Sequence, residues 1–325
     1  MGTRAHTVVP VTLLTGYLGS GKTTLLNRIL AEPHGEKIAV IVNEFGEVGI
    51  DQRLIVRGDD EIIEMANGCV CCVVKDDTVI SLYSMNERRA GRATPKLEYD
   101  RVIIEASGIA NPVPLMRMIL EDERLVDGYS LAGVVALIDA EHFKIQVTRS
   151  IEVKEQIACA DVLLINKIDR IDELELLTVV ERISGINPHA QSLMCINAKV
   201  DIKTLLNSQR ENTFAISEYY CERMHDEDVQ SVVLRASKSL SKFSFDKWLG
   251  EHIVLRADDL YRYKGIIAID GKNARTVVQG VHAYFDMRDG DQWLPDEDRE
   301  SILVVIGRDL NSELLRESFK NCQIY

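Results

Sequence analysis

The sequence predicts an α/β protein, a mostly parallel sheet with helices on both faces, followed by a small C-terminal α+β domain. Three observations carry this. Apolar, β-branched runs at 8–14, 37–42, 99–105, 131–138 and 161–165 alternate with stretches of helical periodicity. The first run feeds a single glycine-rich turn and then a helix, the opening βα unit of a sheet wound on both sides. Beyond residue 230 the alternation stops, and strands with only two helices follow.

Residues 8–14 read as a buried strand. Gly16-Tyr17-Leu18-Gly19-Ser20-Gly21-Lys22-Thr23 fits G-x-x-x-x-G-K-[ST], and Leu25, Leu26, Ile29 and Leu30 then recur at helical spacing. Strand, glycine turn and helix are the context this motif requires, so the first domain is of the P-loop NTPase type. The glycines let backbone N–H groups point inward around phosphate oxygens, and the helix adds its positive N-terminal end. Lys22 would reach the β- and γ-phosphates, and the Thr23 hydroxyl would ligate Mg²⁺.

Composition bounds what else the chain does. Its 325 residues suffice for one large or two medium domains, and 46% hydrophobic content supports a sizeable core. A net charge of −13 argues against a nucleic-acid face and against attraction to anionic lipid. No apolar run approaches the ~20 residues of a membrane span. The N-terminus lacks a signal-peptide layout, because its apolar run is the P-loop strand, and His6 breaks the myristoylation pattern after Gly2. Seven cysteines, three of them within four residues, suit a reducing compartment and a metal or redox role better than a disulfide framework. The expectation is a cytoplasmic protein without nucleic-acid or membrane partners.

The second strand, 37–42, runs into Asn43-Glu44-Phe45-Gly46-Glu47-Val48-Gly49-Ile50-Asp51, a loop with two glycines and three acids. In a P-loop protein a nucleotide-sensing segment can sit here, and Glu44, Glu47 and Asp51 could face Mg²⁺ or a second metal. A strand at 61–65 then leads to Asn67-Gly68-Cys69-Val70-Cys71-Cys72. Thiolates select soft or borderline metals such as Zn²⁺, Co²⁺, Ni²⁺ or Cu⁺. Cys69 and Cys71 share a face in extended backbone, and Cys72 joins them where a helix begins. Three ligands leave a tetrahedral ion one position short. Water, Glu44, Glu47, or a group from a second protomer in a homodimer or from a client could fill it. An open position suits a metal that is handed on. Three buried small hydrophobes, or a redox dithiol, are the other readings, although C-x-C-C is not the thioredoxin-like spacing.

A helix over 73–90 precedes the strand 99–105, which ends in Glu105 and is followed by Ala106-Ser107-Gly108. An apolar strand delivering a carboxylate beside a P-loop is the Walker-B arrangement, so Glu105 would hold Mg²⁺ or its water shell. Gly108 permits close backbone approach to the γ-phosphate. Asn111-Pro112-Val113-Pro114 opens a helix. The strand 131–138 ends at Asp139, residues 149–160 read as one helix, and the strand 161–165 delivers Asn166-Lys167-Ile168-Asp169. N-x-x-D with Lys second is a guanine reader. Asp169 would accept from N1–H and the N2 amine, which adenine cannot offer, and such a pair discriminates by about 1–3 kcal/mol. Lys167 would pack over the base, and Asn166 would tie this loop to the P-loop. A helix over 171–184, a turn at Asn187-Pro188, a strand at 192–196 and a short helix near 202–207 complete the domain. Asn197-Ala198-Lys199 is a candidate second base-contacting loop.

Residues 208–230 lose apolar periodicity and read as a linker. Cys221 and His225 within it have i, i+4 spacing. The expected domains are 1–212, the linker 213–230, and 231–325. In the last, strands at 231–236, 261–269, 276–285 and 301–306, a helix around 245–253 carrying Trp248, and a helix capped by Asn311 make a four-stranded α+β unit. Tyr261, Tyr263 and Trp293 could form a contact surface or pack in the core.

The combination of GYLGSGKTT, NEFGEVGID, NGCVCC, EASG and NKID with a small C-terminal domain resembles the CobW-type metallochaperone GTPases over nearly the whole chain. The resemblance implies GTP and Mg²⁺ binding, slow GTP hydrolysis, and Zn²⁺ or Co²⁺ bound at the C-x-C-C motif for delivery to a client metalloprotein. By position it implies that Gly16, Gly19, Ser20, Gly21, Lys22, Thr23 and Thr24 bind phosphates and Mg²⁺. Glu105 would lie on the Mg²⁺ side, Asn166, Lys167 and Asp169 would bind guanine, and Cys69, Cys71 and Cys72 would bind the transition metal. The histidine-rich tract of many members is reduced here to His225, which argues against metal storage. A zinc-responsive regulatory GTPase that delivers nothing is the alternative. A small-molecule phosphotransferase is a third reading, against which the guanine reader argues.

Overall fold

The computed structural model describes residues 8–42, 62–64, 75–208, 228–294 and 297–324. These fall into two compact units. The first takes the described residues up to Gln156, Ala160–Leu176, and those from Gln191 to the end of the helix at 202–208. The second takes Ile157–Cys159, Leu177–Ala190 and everything described from Asp228 onward. Among the described residues no helix is long and apolar enough to cross a membrane.

The first unit is built on seven parallel strands, β1 (Val9–Gly16), β2 (Ile38–Val42), β3 (Ile62–Glu64), β4 (Arg101–Glu105), β5 (Tyr129–Asp139), β6 (Val162–Asn166) and β7 (Gln191–Met194). Their order is β3-β2-β4-β1-β5-β6-β7. The helices between and after these strands are α1 (Lys22–Ala31), α2 (Lys75–Arg89), α3 (Val113–Glu121), α4 (Phe143–Arg149), α5 (Ile151–Cys159), α6 (Glu173–Ile186) and α7 (Ile202–Ser208), of which the last three residues of α5, and α6 from Leu177 onward, fall in the second unit. Consecutive residues of the central strands, such as Leu13 and Leu14 or Ala136 and Leu137, are equally buried, as in a sheet covered on both faces. On one face Leu14, Val40, Val42, Ile103, Leu137 and Leu164 pack with Leu25, Leu26 and Ile29 of α1 and Ile202 and Leu205 of α7.

The chain passes from β1 outward to β2 and β3, returns through β4, and crosses β1 to reach β5, β6 and β7. The winding therefore reverses around β1, and the crevice outside the carboxyl ends at such a point is where ligands bind in open α/β sheets. Register aligns those ends. Leu14 pairs with Glu105, Gly16 with Leu137, Val42 with Glu105, and Asp139 with Asn166.

The stretch expected as one helix over 149–160 is the end of α4 and the whole of α5. Ser150 between them is extended (φ −132°, ψ 118°) and caps α4 through its backbone N–H to Gln146. The β-branched Ile145, Val147 and Thr148 weaken the helical signal of α4 in sequence.

The second unit holds a five-stranded antiparallel sheet, β8 (Gln230–Ala236), β9 (Leu260–Ile267), β10 (Ala274–Val281), β11 (Tyr284–Gln292) and β12 (Ser301–Gly307), ordered β11-β10-β9-β12-β8. It also holds helices α8 (Lys242–His252) and α9 (Ser312–Lys320). The expected four strands are five, because the run at 276–285 is a hairpin. Val281 pairs with Tyr284, and His282 turns the chain at φ 51°. β11 is an edge strand, YFDMRDGDQ, that carries only polar residues and glycine after Met287 and so gives no sustained apolar alternation to detect. Tyr261 and Tyr263 are buried, at 4% and 0% exposure, so they belong to the core and not to a contact surface. Trp293 is also buried and lies under the Arg275 guanidinium at 4.9 Å. Asn311 caps α9 as expected, its Oδ1 accepting from Leu314 N–H at 3.0 Å.

Candidate functional site

The turn from β1 into α1 passes through three glycines in the left-handed region, Gly16 at φ 139°, Gly19 at 76° and Gly21 at 108°. Any L side chain would be strained there, and at two of them space is closed as well. A Cβ on Gly16 would lie 2.5 Å from the Leu137 carbonyl oxygen, and one on Gly21 2.6 Å from Asn166 Nδ2. The turn is thus a cradle of bare backbone against the N-terminus of α1. Lys22 arches back over it, its ammonium donating to the Gly16 carbonyl at 2.8 Å and the Tyr17 carbonyl at 3.3 Å. Thr23 is half-buried and Thr24 exposed on the first turn of α1. Ser20 Oγ and Thr15 Oγ1 are buried with no hydrogen-bond partner among the described residues. Orphaned hydroxyls beside a left-handed glycine cradle fit a polyphosphate, whose oxygens would satisfy them.

Glu105 ends β4 on the strand next to β1 and is 5% exposed. Ala106 N–H donates to the Leu14 carbonyl at 2.8 Å, fixing this turn to the P-loop strand. Hard oxygen donors at Thr23 and Glu105 suit Mg²⁺. Gly108 is placed by its lack of a side chain: a Cβ there would fall 2.9 Å from Leu18 N. The close approach it permits is to the P-loop itself. Gln156 of α5, 1% exposed, donates to the carbonyls of Gly108 at 3.1 Å and Ala110 at 3.2 Å. Nothing in the sequence marked Gln156, since one glutamine in a helical run carries no pattern.

Asn166 ends β6 and is 2% exposed. Its Nδ2 donates to the Ser20 carbonyl at 2.9 Å, so the tie to the P-loop expected of it is present. Its Oδ1 accepts from Ala198 N–H at 3.0 Å and from Cys195 Sγ at 3.6 Å. Burial pushes the Cys195 thiol up to about 11, which keeps it protonated. Arg28 of α1 closes the circuit, donating to the carbonyls of Ala198 and, at 3.3 Å, Val200. Asn197 and Ala198, in the candidate second base loop, take left-handed φ of 51° and 52°. Asp169 lies exposed on the single turn Ile168–Arg170, with Arg170 Nε 3.5 Å away. Lys167, at φ 63°, sends its ammonium to Asp139 Oδ2 at 2.7 Å.

In sequence, Asp139 is marked only as a strand end. The signal available was the same one used for Glu105, an apolar strand that delivers a carboxylate to the carboxyl edge. Asp139, Glu141 and His142 hold potential ligand atoms within 4.8 Å of one another. The Lys167 ammonium already occupies Asp139, and its positive charge opposes a cation there.

Glu44, Glu47, Asp51, Cys69, Cys71, Cys72, Cys221 and His225 lie outside the described residues. α2, which starts three residues after Cys72, is anchored. Tyr129 of β5 donates to the Leu82 carbonyl at 2.8 Å and its oxygen lies 2.8 Å from that of Tyr99. Burial raises the pKa of both phenols.

One buried amide, Asn166, thus holds the Ser20 carbonyl of the phosphate loop on one side and Ala198 N–H of the 197–199 loop on the other. With Glu105 on the strand beside the P-loop, the fold and site are those of a P-loop GTPase. The chain belongs to the CobW family: residues 10–194 match the CobW/HypB/UreG nucleotide-binding domain, and residues 229–323 match the cobalamin synthesis protein cobW C-terminal domain. It is 35% identical to the zinc chaperone YjiA of Escherichia coli strain K12, over 96% of this chain and 98% of that one. It is 29% identical to the zinc-regulated GTPase metalloprotein activator 1 of Saccharomyces cerevisiae, over 95% and 82%. The crystal structure of Zn(II)-bound YjiA GTPase from E. coli superposes with a TM-score of 0.76 at 30% identity, covering 98% of this chain and 99% of that one.

Proposed function

We propose that this GTPase is a metallochaperone that binds a transition metal, zinc foremost and cobalt as an alternative, at Cys69, Cys71 and Cys72. It passes the metal to a client metalloprotein in a nucleotide-dependent way. The observation that carries the nucleotide half is the Asn166 bridge, one side chain hydrogen-bonded to both the Ser20 carbonyl and Ala198 N–H. The relatives named zinc chaperone and metalloprotein activator support the metal and client half.

The backbone of Gly16–Gly21 would hold the phosphates, with Lys22 turning from its own loop carbonyls toward them. Ser20 Oγ would donate to the same oxygens. Thr23 and Glu105 would hold Mg²⁺, which supplies charge neutralisation across the β- and γ-phosphates. Asp169 would read guanine, and Lys167 would pack against the base. Glu44 and Glu47 stand in the segment that follows β2. Through them γ-phosphate contacts would complete the thiolate site, and hydrolysis would release it.

The test is a chelator challenge. Zinc-loaded protein is mixed with GTP or a non-hydrolysable analogue in the presence of a chromogenic chelator, and zinc loss is timed against phosphate release. The expected result is loss that tracks hydrolysis with GTP and slow loss with the analogue. Equal loss rates with both nucleotides would sink the delivery mechanism.

A further inference from the structure

We infer that Asp139 is a positioning residue for guanine-nucleotide binding, holding the Lys167 side chain in place as the surface against which the base packs. This rests on reading Asn166–Asp169 as the guanine loop. Asp139 ends β5 directly opposite Asn166 in the β5–β6 register, and Ala140 N–H donates to the Asn166 carbonyl at 3.0 Å. Its place relative to the base loop is therefore fixed by backbone pairing.

The carboxylate itself is fixed by three contacts. Oδ1 accepts from His142 N–H at 3.3 Å, and Oδ2 lies 3.0 Å from His142 Nδ1 and 2.7 Å from Lys167 Nζ. Asp139 is 3% exposed and the Lys167 side chain 30%. Ion pairs on open surface contribute little, but this acceptor is buried and cannot turn to water, so the lysine is its compensating charge. A lysine on a loop otherwise samples many rotamers, and a base that stacks on it must first order it. Left-handed φ at Lys167 and the anchored ammonium do that ordering in advance. The aliphatic stem stays between Nζ and the backbone as a preformed wall, which is how preorganisation raises affinity without a new contact to the ligand.

The role differs from base reading. Asp169 discriminates among purines by its hydrogen bonds. Asp139 never meets the base, so it sets affinity for any purine that stacks on Lys167 and leaves the preference unchanged.

The experiment is equilibrium binding of guanosine and inosine diphosphates to the full chain and to four variants: Asp139→Asn, Lys167→Met, the two together, and Asp169→Asn. Circular dichroism melting accompanies each. Asp139→Asn keeps shape and the His142 N–H bond while removing the charge. Lys167→Met keeps an apolar stem while removing the anchor, and tests the proposal even where Asp139→Asn fails to fold. The expected result is weakening by roughly tenfold in each single variant, the same for both nucleotides, with no further loss in the double variant. Wild-type affinity in Lys167→Met, or a loss in Asp139→Asn that persists in full in the Lys167→Met background, would overturn the proposal. Failure of the guanine-loop reading has a separate signature, an unchanged guanosine-to-inosine ratio in Asp169→Asn.

Discussion

The two sheets bury their polar groups in different places. In the parallel sheet most gather at one edge: Thr15, Ser20, Glu105, Ser107, Asp139 and Asn166 are all buried within a few residues of a strand's carboxyl end, while Arg101 at the start of β4 and Thr12 inside β1 lie away from it and hydrogen-bond each other at 3.0 Å. In the antiparallel sheet Ser231, Arg262, Thr276 and Ser301 are scattered, and the centre is aromatic. Phe245 and Trp248 stack with centroids 6.2 Å apart, and Phe319 meets Trp248 edge-on at 5.3 Å. Burying a polar group is costly unless it is paired. One edge that collects six has a use for them, whereas an aromatic cluster serves stability first. The contrast separates the unit that carries chemistry from the unit whose core is a packing problem.

Substitutions can break that contrast, and the largest effect belongs to the aromatic core. Phe319→Ala, at a fully buried position, should destabilise the C-terminal sheet by about 3–5 kcal/mol. The protein's two tryptophans, Trp248 and Trp293, both lie in this unit, so tryptophan fluorescence in urea follows it selectively. GDP affinity under native conditions should not change, and a parallel drop in affinity would erase the distinction. Gly21→Ala is the converse. Strain at φ 108° and the contact with Asn166 Nδ2 should lower nucleotide affinity by about 3 kcal/mol, roughly a hundredfold, with the tryptophan transition unmoved. Asn311→Ala removes the cap of α9 and should cost about 1 kcal/mol of stability, read as a lower midpoint of that transition, again without touching nucleotide binding.

The smallest effect is an absence of reaction. Burial pushes the thiols of Cys195 and Cys322 up to about 11. Both stay protonated at neutral pH and shielded, so iodoacetamide on folded protein should label neither, as read by peptide mass mapping. Rapid labelling of Cys195 would show that the Asn166 neighbourhood opens.

Legibility in the sequence followed the same divide. β1, the P-loop and α1 were readable because left-handed turns demand glycine and buried parallel strands demand continuous apolar runs. Glu105 and Asn166 were readable because each ends such a run. β11 was not, since an edge strand needs no apolar face, and α4 was hidden by its β-branched residues. The Asp139–Lys167 pair and the Arg28 clamp on Ala198 and Val200 were invisible for another reason. They join residues 28 and 170 or more positions apart, and no local pattern encodes which strand ends lie side by side.

The most direct test of a nucleotide-linked metal carrier is reciprocal linkage. Zn²⁺ affinity is measured with Mg²⁺ and a non-hydrolysable GTP analogue and again with GDP, and affinity for the analogue is measured with and without Zn²⁺. A Cys71→Ser, Cys72→Ser variant serves as control. The account predicts tighter zinc binding with the analogue, the same factor returned in analogue affinity, and no effect in the variant. Zinc affinity equal with both nucleotides would contradict it.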